Sequence, residues 1–253
     1  MDLHNTVAVV TGSSRGVGKG IALCLAAAGA KVVVTARSET EGPLPGNIRQ
    51  TAEEIERAGG VAFPIRADLG IDDEVRSMVE QAVARFGRID VLVNNSVTVG
   101  RPQLFRDMQV DNWDYVMRVN FRGPLVTTRL VLPHMLKQGF GVIVNVTSGA
   151  AVESGPGVPM PYGVSKAALN RLTTGLAYEL EGTGIAAIIL DPAFTATERI
   201  VARAPHVGLD MRNAQPQDYP GRALVHLLSG DPMAYTGKSV FVPDYVKQHG
   251  LGG

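Results

Sequence analysis

At 253 residues with 45% hydrophobic content, the chain is long enough to bury one substantial core, as an α/β domain of this size does. Its 24 Lys and Arg residues balance its 24 Asp and Glu residues, which excludes a bulk charge that would attract nucleic acid or an anionic membrane and favours a small-molecule partner. The single cysteine, Cys24, excludes an intrachain disulfide, and no basic leader or apolar run of about 18 residues is present, so we expect a cytoplasmic protein.

The predicted elements alternate between short apolar strands and helices along the whole chain. The runs that predict strands are 7–10, 32–34, 61–63, 91–93, 142–144, 185–190 and 239–242. The helical patterns between them cover 16–29, 47–59, 71–86, 111–137, 160–181 and 217–229. Continuous apolar strands joined by helices are typical of a parallel sheet covered on both faces. We therefore predict one α/β domain over 1–253, a doubly wound Rossmann-type fold around a mostly parallel, seven-stranded sheet.

Four segments interrupt this alternation. Clusters of Gly, Pro and polar residues predict loops at 38–47, 94–103 and 149–161. The segment 192–216 is longer and has little strand pattern. Because loops of that length in compact domains are commonly functional, we expect a substrate lid there.

A glycine-rich turn follows the first predicted strand and reads T-G-S-S-R-G-V-G over 11–18. Glycines at such a turn let the backbone approach a pyrophosphate, which the N-terminus of the next helix attracts. The predicted nucleotide contacts are Gly12, Ser14, Arg15, Gly16, Val17 and Gly18. The T-G-x-x-x-G-x-G spacing resembles the short-chain dehydrogenase/reductase family, and this resemblance implies a nicotinamide dinucleotide cofactor.

The same letters contain G-x-S-x-G, which leaves a second enzyme class open. In an α/β-hydrolase this motif would make Ser14 a nucleophile, with His206, His226 or His249 as its base. A hydrolase elbow normally follows several strands, whereas Ser14 follows the first. This alternative is therefore the less favoured one.

The end of the second predicted strand indicates which dinucleotide binds. An NAD-preferring site places an acidic residue there, because a carboxylate accepts from the ribose 2′-hydroxyl and repels a 2′-phosphate. Here Ala36 stands at that position, Arg37 follows it, and Arg15 projects from the glycine-rich turn. Two guanidinium groups can bind a phosphate in bidentate geometry, so the sequence predicts NADP(H).

Further cofactor contacts are implied by the resemblance. Asp68 would contact the adenine ring, with Leu69 beside it, and Asn94 would hydrogen-bond near the cofactor. The family usually reads N-N-A-G after the fourth strand, whereas Ser96 and Val97 stand here in place of the last two letters. Val97 in place of glycine predicts a change in the local backbone.

Tyr162 and Lys166 lie four residues apart on one face of a predicted helix. A phenol with a pKa near ~10 needs a nearby cation if it is to exchange protons at neutral pH. Ser148 follows the fifth strand at a family-like distance before Tyr162, and Thr147 competes with it on sequence alone. Asn120, in the preceding long helix, completes the tetrad of the family.

The resemblance assigns a role to each member of the tetrad. Tyr162 would donate a proton to a carbonyl oxygen or accept one from an alcohol, while Ser148 hydrogen-bonds that oxygen. Lys166 would contact the nicotinamide ribose and lower the Tyr162 pKa. Asn120 would hold a water that joins Lys166 to solvent. No metal is implied.

After the sixth strand, the segment 192–197 resembles the P-G-x-x-x-T pattern of the family, which places the nicotinamide carboxamide. Ala193 stands where glycine is usual. The cofactor contacts implied here are Pro192, Phe194, Thr195 and Thr197. Thr197 could equally cap a helix.

We expect the substrate pocket to be formed by 94–103, 149–160 and 194–216, because ligands of open α/β sheets lie beyond the carboxyl ends of the strands. Its predicted apolar residues are Val152, Val158, Met160 and Phe194. They favour a fairly hydrophobic ketone, aldehyde or secondary alcohol as substrate.

The resemblance also implies a homo-oligomer, a dimer or tetramer, because the family pairs the helices that carry Asn120 and Tyr162. A non-enzymatic alternative remains, since some proteins of this fold only bind the nucleotide, as sensors or scaffold subunits. A degraded tetrad would favour that alternative, and this tetrad is complete.

Overall fold

The computed structural model of the chain describes residues 1–40, 42–155 and 158–252. Its strands are β1 (Val7–Thr11), β2 (Lys31–Ala36), β3 (Val61–Arg66), β4 (Val91–Asn94), β5 (Gly141–Val146), β6 (Ile185–Asp191) and β7 (Ser239–Phe241). They form one sheet in the order β3-β2-β1-β4-β5-β6-β7, and all of its pairings are parallel. The predicted doubly wound Rossmann-type fold is confirmed. Pro64 lies in β3, which is an edge strand. Proline is tolerated there because its position need not donate a backbone hydrogen bond to a neighbouring strand.

The helices are α1 (Gly16–Ala27), α2 (Ile48–Arg57), α3 (Asp72–Phe86), α4 (Val110–Met117), α5 (Gly123–Gln138), α6 (Met160–Glu179), α7 (Glu198–Val207), α8 (Tyr219–Ser229) and α9 (Val242–Gln248). A π-helical turn, Arg118–Arg122, joins α4 to α5. Within the described residues, no helix has both the length and the apolar character needed to cross a bilayer.

Three predicted boundaries were wrong. The helix predicted over 111–137 is interrupted by the π turn. The loop predicted over 192–216 contains α7, whose pattern is obscured by Pro205 within the helix and by Gly208 directly after it. The last strand ends at Phe241, and α9 begins where the prediction extended that strand.

Side chains of each strand alternate between two cores, one on each face of the sheet. Ala8 and Val10 of β1 pack in the core that includes Ile21 of α1, together with apolar residues of α8. Val9 points to the opposite core, which includes Met78 of α3. Both faces of the sheet are therefore covered by helices.

The chain reverses its direction across the sheet at β1. From β1 it runs outward through β2 to β3, and then returns to place β4 on the other side of β1. The connections leaving β1 and β4 therefore diverge and open a crevice at the carboxyl ends of these strands, which is the usual ligand position in such sheets. The glycine-rich turn and the Asn94-Asn95 pair both lie at this crevice.

Contacts between distant parts of the chain hold this centre in place. The buried Asp90 carboxylate, directly before β4, accepts from the backbone N–H of Val7 at 2.8 Å and pairs with Arg88. The amino group of Met1 donates to the carbonyl oxygen of Leu228 at 2.7 Å. The first strand is thus tied to elements formed much later in the sequence.

Candidate active site

The glycine-rich turn follows a path that side chains would block. Gly12 and Gly16 have φ values of +68° and +58°, in the left-handed region that favours glycine. A Cβ at Gly18 would lie 2.4 Å from the carbonyl oxygen of Gly12. Asn95 donates through Nδ2 to the carbonyl oxygens of Thr11 at 2.8 Å and of Gly12 at 3.2 Å. This close-packed cradle fits a pyrophosphate, and the contribution of Asn95 was not predicted from the sequence.

The N-terminus of α1 already binds an anionic group of the protein itself. The backbone N–H of Gly16 donates to Oε2 of Glu198 at 2.8 Å. A Cβ at Gly16 would lie 3.1 Å from Cγ2 of Thr197, so the start of α7 packs directly on the turn. Helix N-termini favour negative charge, which explains why a carboxylate from α7 takes this position.

Of the two predicted phosphate-binding arginines, Arg15 lies in the glycine-rich turn and Arg37 directly follows β2. Arg15 donates through Nη2 to the carbonyl oxygen of Gly46 at 2.5 Å, while its buried Nε has no hydrogen-bond partner within the described residues. Arg37 is 55% exposed, donates to the hydroxyl of Tyr115, and has Nη1 3.9 Å from Oδ2 of Asp68. Both cations are therefore available to an anionic ligand.

A third guanidinium group, Arg199 at the start of α7, stands close enough to these two to interact with them. Burial, together with the positive charges of Arg15 and Arg37, lowers the pKa of Arg199, although its side chain keeps contact with solvent. The sequence did not single out Arg199, because α7 itself was not predicted.

The other predicted nucleotide contacts divide into accessible and structural residues. Asp68 accepts from the backbone N–H of Gly70 at 2.9 Å and remains near Arg37. The Leu69 side chain is buried, so only its backbone could meet a cofactor. Asn94 is buried and donates to Oδ1 of Asn145 at 2.8 Å, which makes its side chain a link between β4 and β5.

Val97 does not adopt a left-handed backbone conformation. Among the described residues other than glycine, only Asn5 and Ala193 have a positive φ, so Val97 requires no conformation that glycine alone would favour. The backbone N–H of the adjacent Ser96 donates to the Thr11 hydroxyl at 3.1 Å, as the N–H of Asn95 also does. Val97 is 37% exposed, which accommodates its side chain.

Ser148, Tyr162 and Lys166 lie together at the carboxyl end of β5. The Ser148 hydroxyl lies close enough to the Tyr162 hydroxyl to lower the Tyr162 pKa. Lys166 has Nζ 6.0 Å from the centroid of the Tyr162 ring and donates to the carbonyl oxygen of Val146 at 2.6 Å. The buried Thr147 hydroxyl has no hydrogen-bond partner within the described part of the chain. The geometry therefore favours Ser148 over Thr147 as the partner of Tyr162.

Burial dominates the electrostatics of this cluster. It lowers the pKa of Lys166 to about 8, against a smaller raising effect of the Asp191 carboxylate. Burial also raises the pKa of Tyr162; the Ser148 hydrogen bond opposes this, Asp191 adds to it, and Arg199 opposes it. Tyr162 is therefore a protonated phenol at neutral pH.

Asn120 lies in the π-helical turn and is completely buried. Its Nδ2 donates to the carbonyl oxygen of Thr98 at 2.8 Å and to the hydroxyl of Ser165 at 3.0 Å, and its Oδ1 accepts from the N–H of Thr98 at 2.8 Å. Both amide hydrogens are thus used, and a water could be held only through an oxygen. The water-holding role stays a prediction, whereas the contacts show a link between the loop after β4 and α6.

The segment after β6 forms a tight turn. The backbone N–H of Ala193, whose φ is +58°, donates to Oδ1 of Asp191 at 2.9 Å. A non-glycine residue in this region carries a cost of roughly 1–2 kcal/mol. The Thr195 hydroxyl donates to the carbonyl oxygen of Pro192 at 3.0 Å, and Thr197 caps α7 by accepting from the N–H of Ile200 at 3.4 Å.

The expected apolar pocket is not enclosed. Val152 is 86% exposed and Met160 50% exposed, and Phe194 is partly buried. A cavity of about 560 Å³ lies instead between the loop after β4 and α4, and most of the residues that line it have polar side chains. Tyr115 lines this cavity and accepts a hydrogen bond from Arg37. The cavity therefore lies beside Arg37, and Tyr162 is not among the residues that line it. Of the loop predicted over 149–161, residues 156 and 157 lie outside the described residues.

The surroundings of Ser14 do not resemble a hydrolase site. Within the described residues, no histidine is hydrogen-bonded to Ser14; His226 binds the Tyr245 hydroxyl at 3.0 Å and stacks on His249 at 4.5 Å. The described residues also contain no group of three His, Cys, Asp or Glu side chains that could hold a metal ion.

Comparisons with known proteins agree with this geometry. A family model described as short chain dehydrogenase matches residues 6–206. The chain is 36% identical over 233 residues to a 3-oxoacyl-[acyl-carrier-protein] reductase of Synechocystis sp., covering 90% of each chain. Among solved structures, a gluconate 5-dehydrogenase of Burkholderia cenocepacia in complex with NADP and tartrate gives a TM-score of 0.83 at 28% identity, covering 94% of each chain. A metagenomic short-chain oxidoreductase in complex with NADP gives 0.80 at 29% identity, covering 96% of this chain and 98% of that one. The hydrolase alternative is therefore wrong.

Proposed function

This chain belongs to the short-chain dehydrogenase/reductase family of oxidoreductases, and we propose that it uses NADP(H) to interconvert a carbonyl group and a secondary alcohol on a small, fairly hydrophobic substrate. The observation that carries the proposal is the cluster of Ser148, Tyr162 and Lys166, in which a partly buried phenol lies beside a serine hydroxyl and a buried ammonium group. A protein that only sensed the nucleotide would not need this cluster.

The residues of the crevice fit the cofactor. The cradle of Gly12, Gly16 and Gly18 and the N-terminus of α1 suit the pyrophosphate. Arg15, through its unpartnered Nε, and the exposed Arg37 would hold the 2′-phosphate, and the two structural relatives bound to NADP support this choice. When bound, NADP(H) supplies or accepts the hydride.

The side chains would divide the remaining chemistry. In reduction, the Tyr162 hydroxyl donates its proton to the carbonyl oxygen while Ser148 donates a hydrogen bond to the same oxygen. The Lys166 ammonium group stabilises the phenolate that remains, and in oxidation the phenolate takes the proton back from the alcohol. Because its pKa is raised, Tyr162 is protonated at neutral pH, which is the form that donates the proton in reduction.

The test combines NADPH with a carbonyl panel while the nicotinamide absorbance is followed. The panel contains hydrophobic ketones and aldehydes, a 3-oxoacyl thioester and an oxidised sugar acid, because the named relatives act on the last two kinds of compound. Tyr162→Phe should abolish turnover and leave the NADPH dissociation constant within about twofold, since only the proton-transfer group is lost.

Tyr178→Phe is the matched control, because Tyr178 lies on the same helix but is 80% exposed. Its activity should equal that of the native protein. Full activity of the Tyr162 variant would contradict the assigned cluster. NADPH binding without turnover across the panel would favour the sensor alternative.

We also propose that the chain forms a homo-oligomer, a dimer or tetramer. Support comes from large apolar side chains left partly exposed on α5 and α6, with Leu125 at 37%, Leu136 at 46% and Val164 at 40%. Sedimentation of the native protein at micromolar concentration should give a mass of two or four chains. A monomer at this concentration would contradict the proposal.

A further inference from the structure

Asp191, the last residue of β6, combines burial, a backbone contact and a position beside the catalytic cluster. It is 9% exposed. Alternation along β6 places its side chain on the face opposite Leu190, which packs in the core with α1 and α8. That opposite face is covered by α6, the helix that carries Tyr162 and Lys166.

The carboxylate of Asp191 accepts from the backbone N–H of Ala193 and thereby closes a turn around Pro192. Ala193 stands where the family pattern has glycine, and it adopts the left-handed φ of +58° that glycine would adopt without strain. Ala193 makes its hydrogen bond to Asp191 in this left-handed conformation. The Asp191 carboxylate therefore stabilises a backbone conformation that an alanine residue by itself disfavours.

We propose that Asp191 is a positioning residue, whose carboxylate holds Ala193 in the left-handed conformation and so shapes the turn that receives the nicotinamide end of the cofactor. This inference rests on the proposed function, because the nicotinamide end is defined by the cofactor. The Pro192 carbonyl oxygen, which accepts from the Thr195 hydroxyl, continues the same turn toward α7.

The charge of Asp191 gives the residue a second connection to the site. The ionisable groups that interact with it are Lys166 and Tyr162 on α6, and Arg199 on α7 also acts on Tyr162. Removing the charge and removing the hydrogen bond are therefore different perturbations. Asp191→Asn keeps an oxygen that can accept from Ala193 and removes the charge, whereas Asp191→Ala removes both.

The chain contains a matched control for the turn itself. Asp231, Pro232 and Met233 repeat the hydrogen bond but not the left-handed backbone, with Oδ1 of Asp231 accepting from the N–H of Met233 at 3.0 Å. Asp231 begins the short 3₁₀ segment before β7 and is exposed, away from the cluster. Asp231→Ala removes an equivalent hydrogen bond without touching the proposed cofactor site.

The first measurement is cofactor binding by calorimetry, with NADPH and with adenosine 2′,5′-bisphosphate, which lacks the nicotinamide. Asp191→Ala should weaken NADPH binding about tenfold, equivalent to about 1.4 kcal/mol, and leave the bisphosphate unchanged. Asp191→Asn should stay within about twofold of the native protein, because the oxygen acceptor is kept. Asp231→Ala should bind both ligands like the native protein.

The second measurement is thermal unfolding of the cofactor-free protein. Asp191→Ala should lower Tm by about 2–4 °C, the scale expected for one hydrogen bond in a chain of this length. Asp191→Ala should lower Tm by less in an Ala193→Gly background, because glycine adopts the left-handed conformation without the Asp191 hydrogen bond. The double variant should also regain most of the NADPH affinity.

Native NADPH affinity in Asp191→Ala, or equal losses in Asp191→Ala and Asp191→Asn, would overturn the assignment. A loss of bisphosphate affinity equal to that of NADPH would also overturn it, because the effect would not be local to the nicotinamide end. If the native protein bound no nicotinamide cofactor, the proposed function would fail. Additive Tm changes at positions 191 and 193 would separately refute the coupled turn.

Discussion

The contact between Glu198 and Gly16 predicts that the start of α7 competes with the cofactor. In the structure, the Glu198 carboxylate accepts from the N–H at the start of α1 at 2.8 Å, where the pyrophosphate is expected. NADPH must therefore displace this carboxylate before its phosphates can use the same N–H. Glu198→Gln keeps the size of the side chain and removes its charge, so it weakens the competitor without opening a cavity.

The magnitude follows from the kind of hydrogen bond that is replaced. A bond to a charged group contributes about 1.5–3 kcal/mol and a neutral one about 0.5–1.5 kcal/mol, so the substitution lowers the displacement cost by about 1 kcal/mol. NADPH should therefore bind roughly fivefold more tightly to Glu198→Gln than to the native protein. The lost repulsion between the carboxylate and the pyrophosphate acts in the same direction.

The assay is calorimetric titration of both proteins with NADPH at one fixed salt concentration. Glu181→Gln is the control, because Glu181 is an exposed acid just after α6 and its substitution changes the net charge equally. This control should leave the affinity unchanged. Unchanged or weaker NADPH binding in Glu198→Gln would refute the competition.

Two further predictions concern single cations of the site. Arg37→Ala should weaken NADPH binding roughly tenfold and leave NADH binding unchanged. We use the lower end of the free-energy range for a hydrogen bond to a charged group, because the Arg37 side chain is 55% exposed to solvent. Equal losses for both cofactors, measured by calorimetry, would contradict the assigned phosphate contact. Lys166→Met should abolish turnover yet stabilise the cofactor-free protein at neutral pH, because an ammonium whose pKa falls to about 8 on folding is destabilising while it is protonated. The native protein, but not this variant, should gain stability in denaturant titrations as pH rises from 8 towards 10.5, the ordinary lysine pKa, and a pH-independent difference between the two would contradict the burial effect.

The sequence predicted the sheet well because its strands are buried on both faces and are therefore continuously apolar. It missed α7 because Pro205 lies within that helix. The π turn was invisible because one extra residue per turn hardly changes the apolar pattern around Asn120. The family pattern predicted the roles proposed for Tyr162 and Lys166, whose spacing is local.

Residues whose partners lie far along the chain could not be assigned from the sequence. Asn94 and Asn95 are adjacent and identical in type, yet Asn94 ends β4 and links it to β5, while Asn95 binds the glycine-rich turn. Only the direction of each side chain at the strand end separates these roles. Glu198 meets Gly16 across 182 positions of sequence, a contact that no local pattern encodes.

The central position of β1 has a consequence for the order of events during synthesis. β1 leaves the ribosome before Asp90, whose carboxylate accepts from Val7 and lies 83 residues later, and the Met1 amino group reaches Leu228, 227 residues away. Parallel strands that are far apart in sequence pair slowly, because the entropy of closing a long loop is lost before the stabilising contacts form. The nascent chain therefore exposes an apolar strand and an unfinished nucleotide crevice for most of its translation. NADPH would stabilise the chain only once the elements that form the crevice have docked.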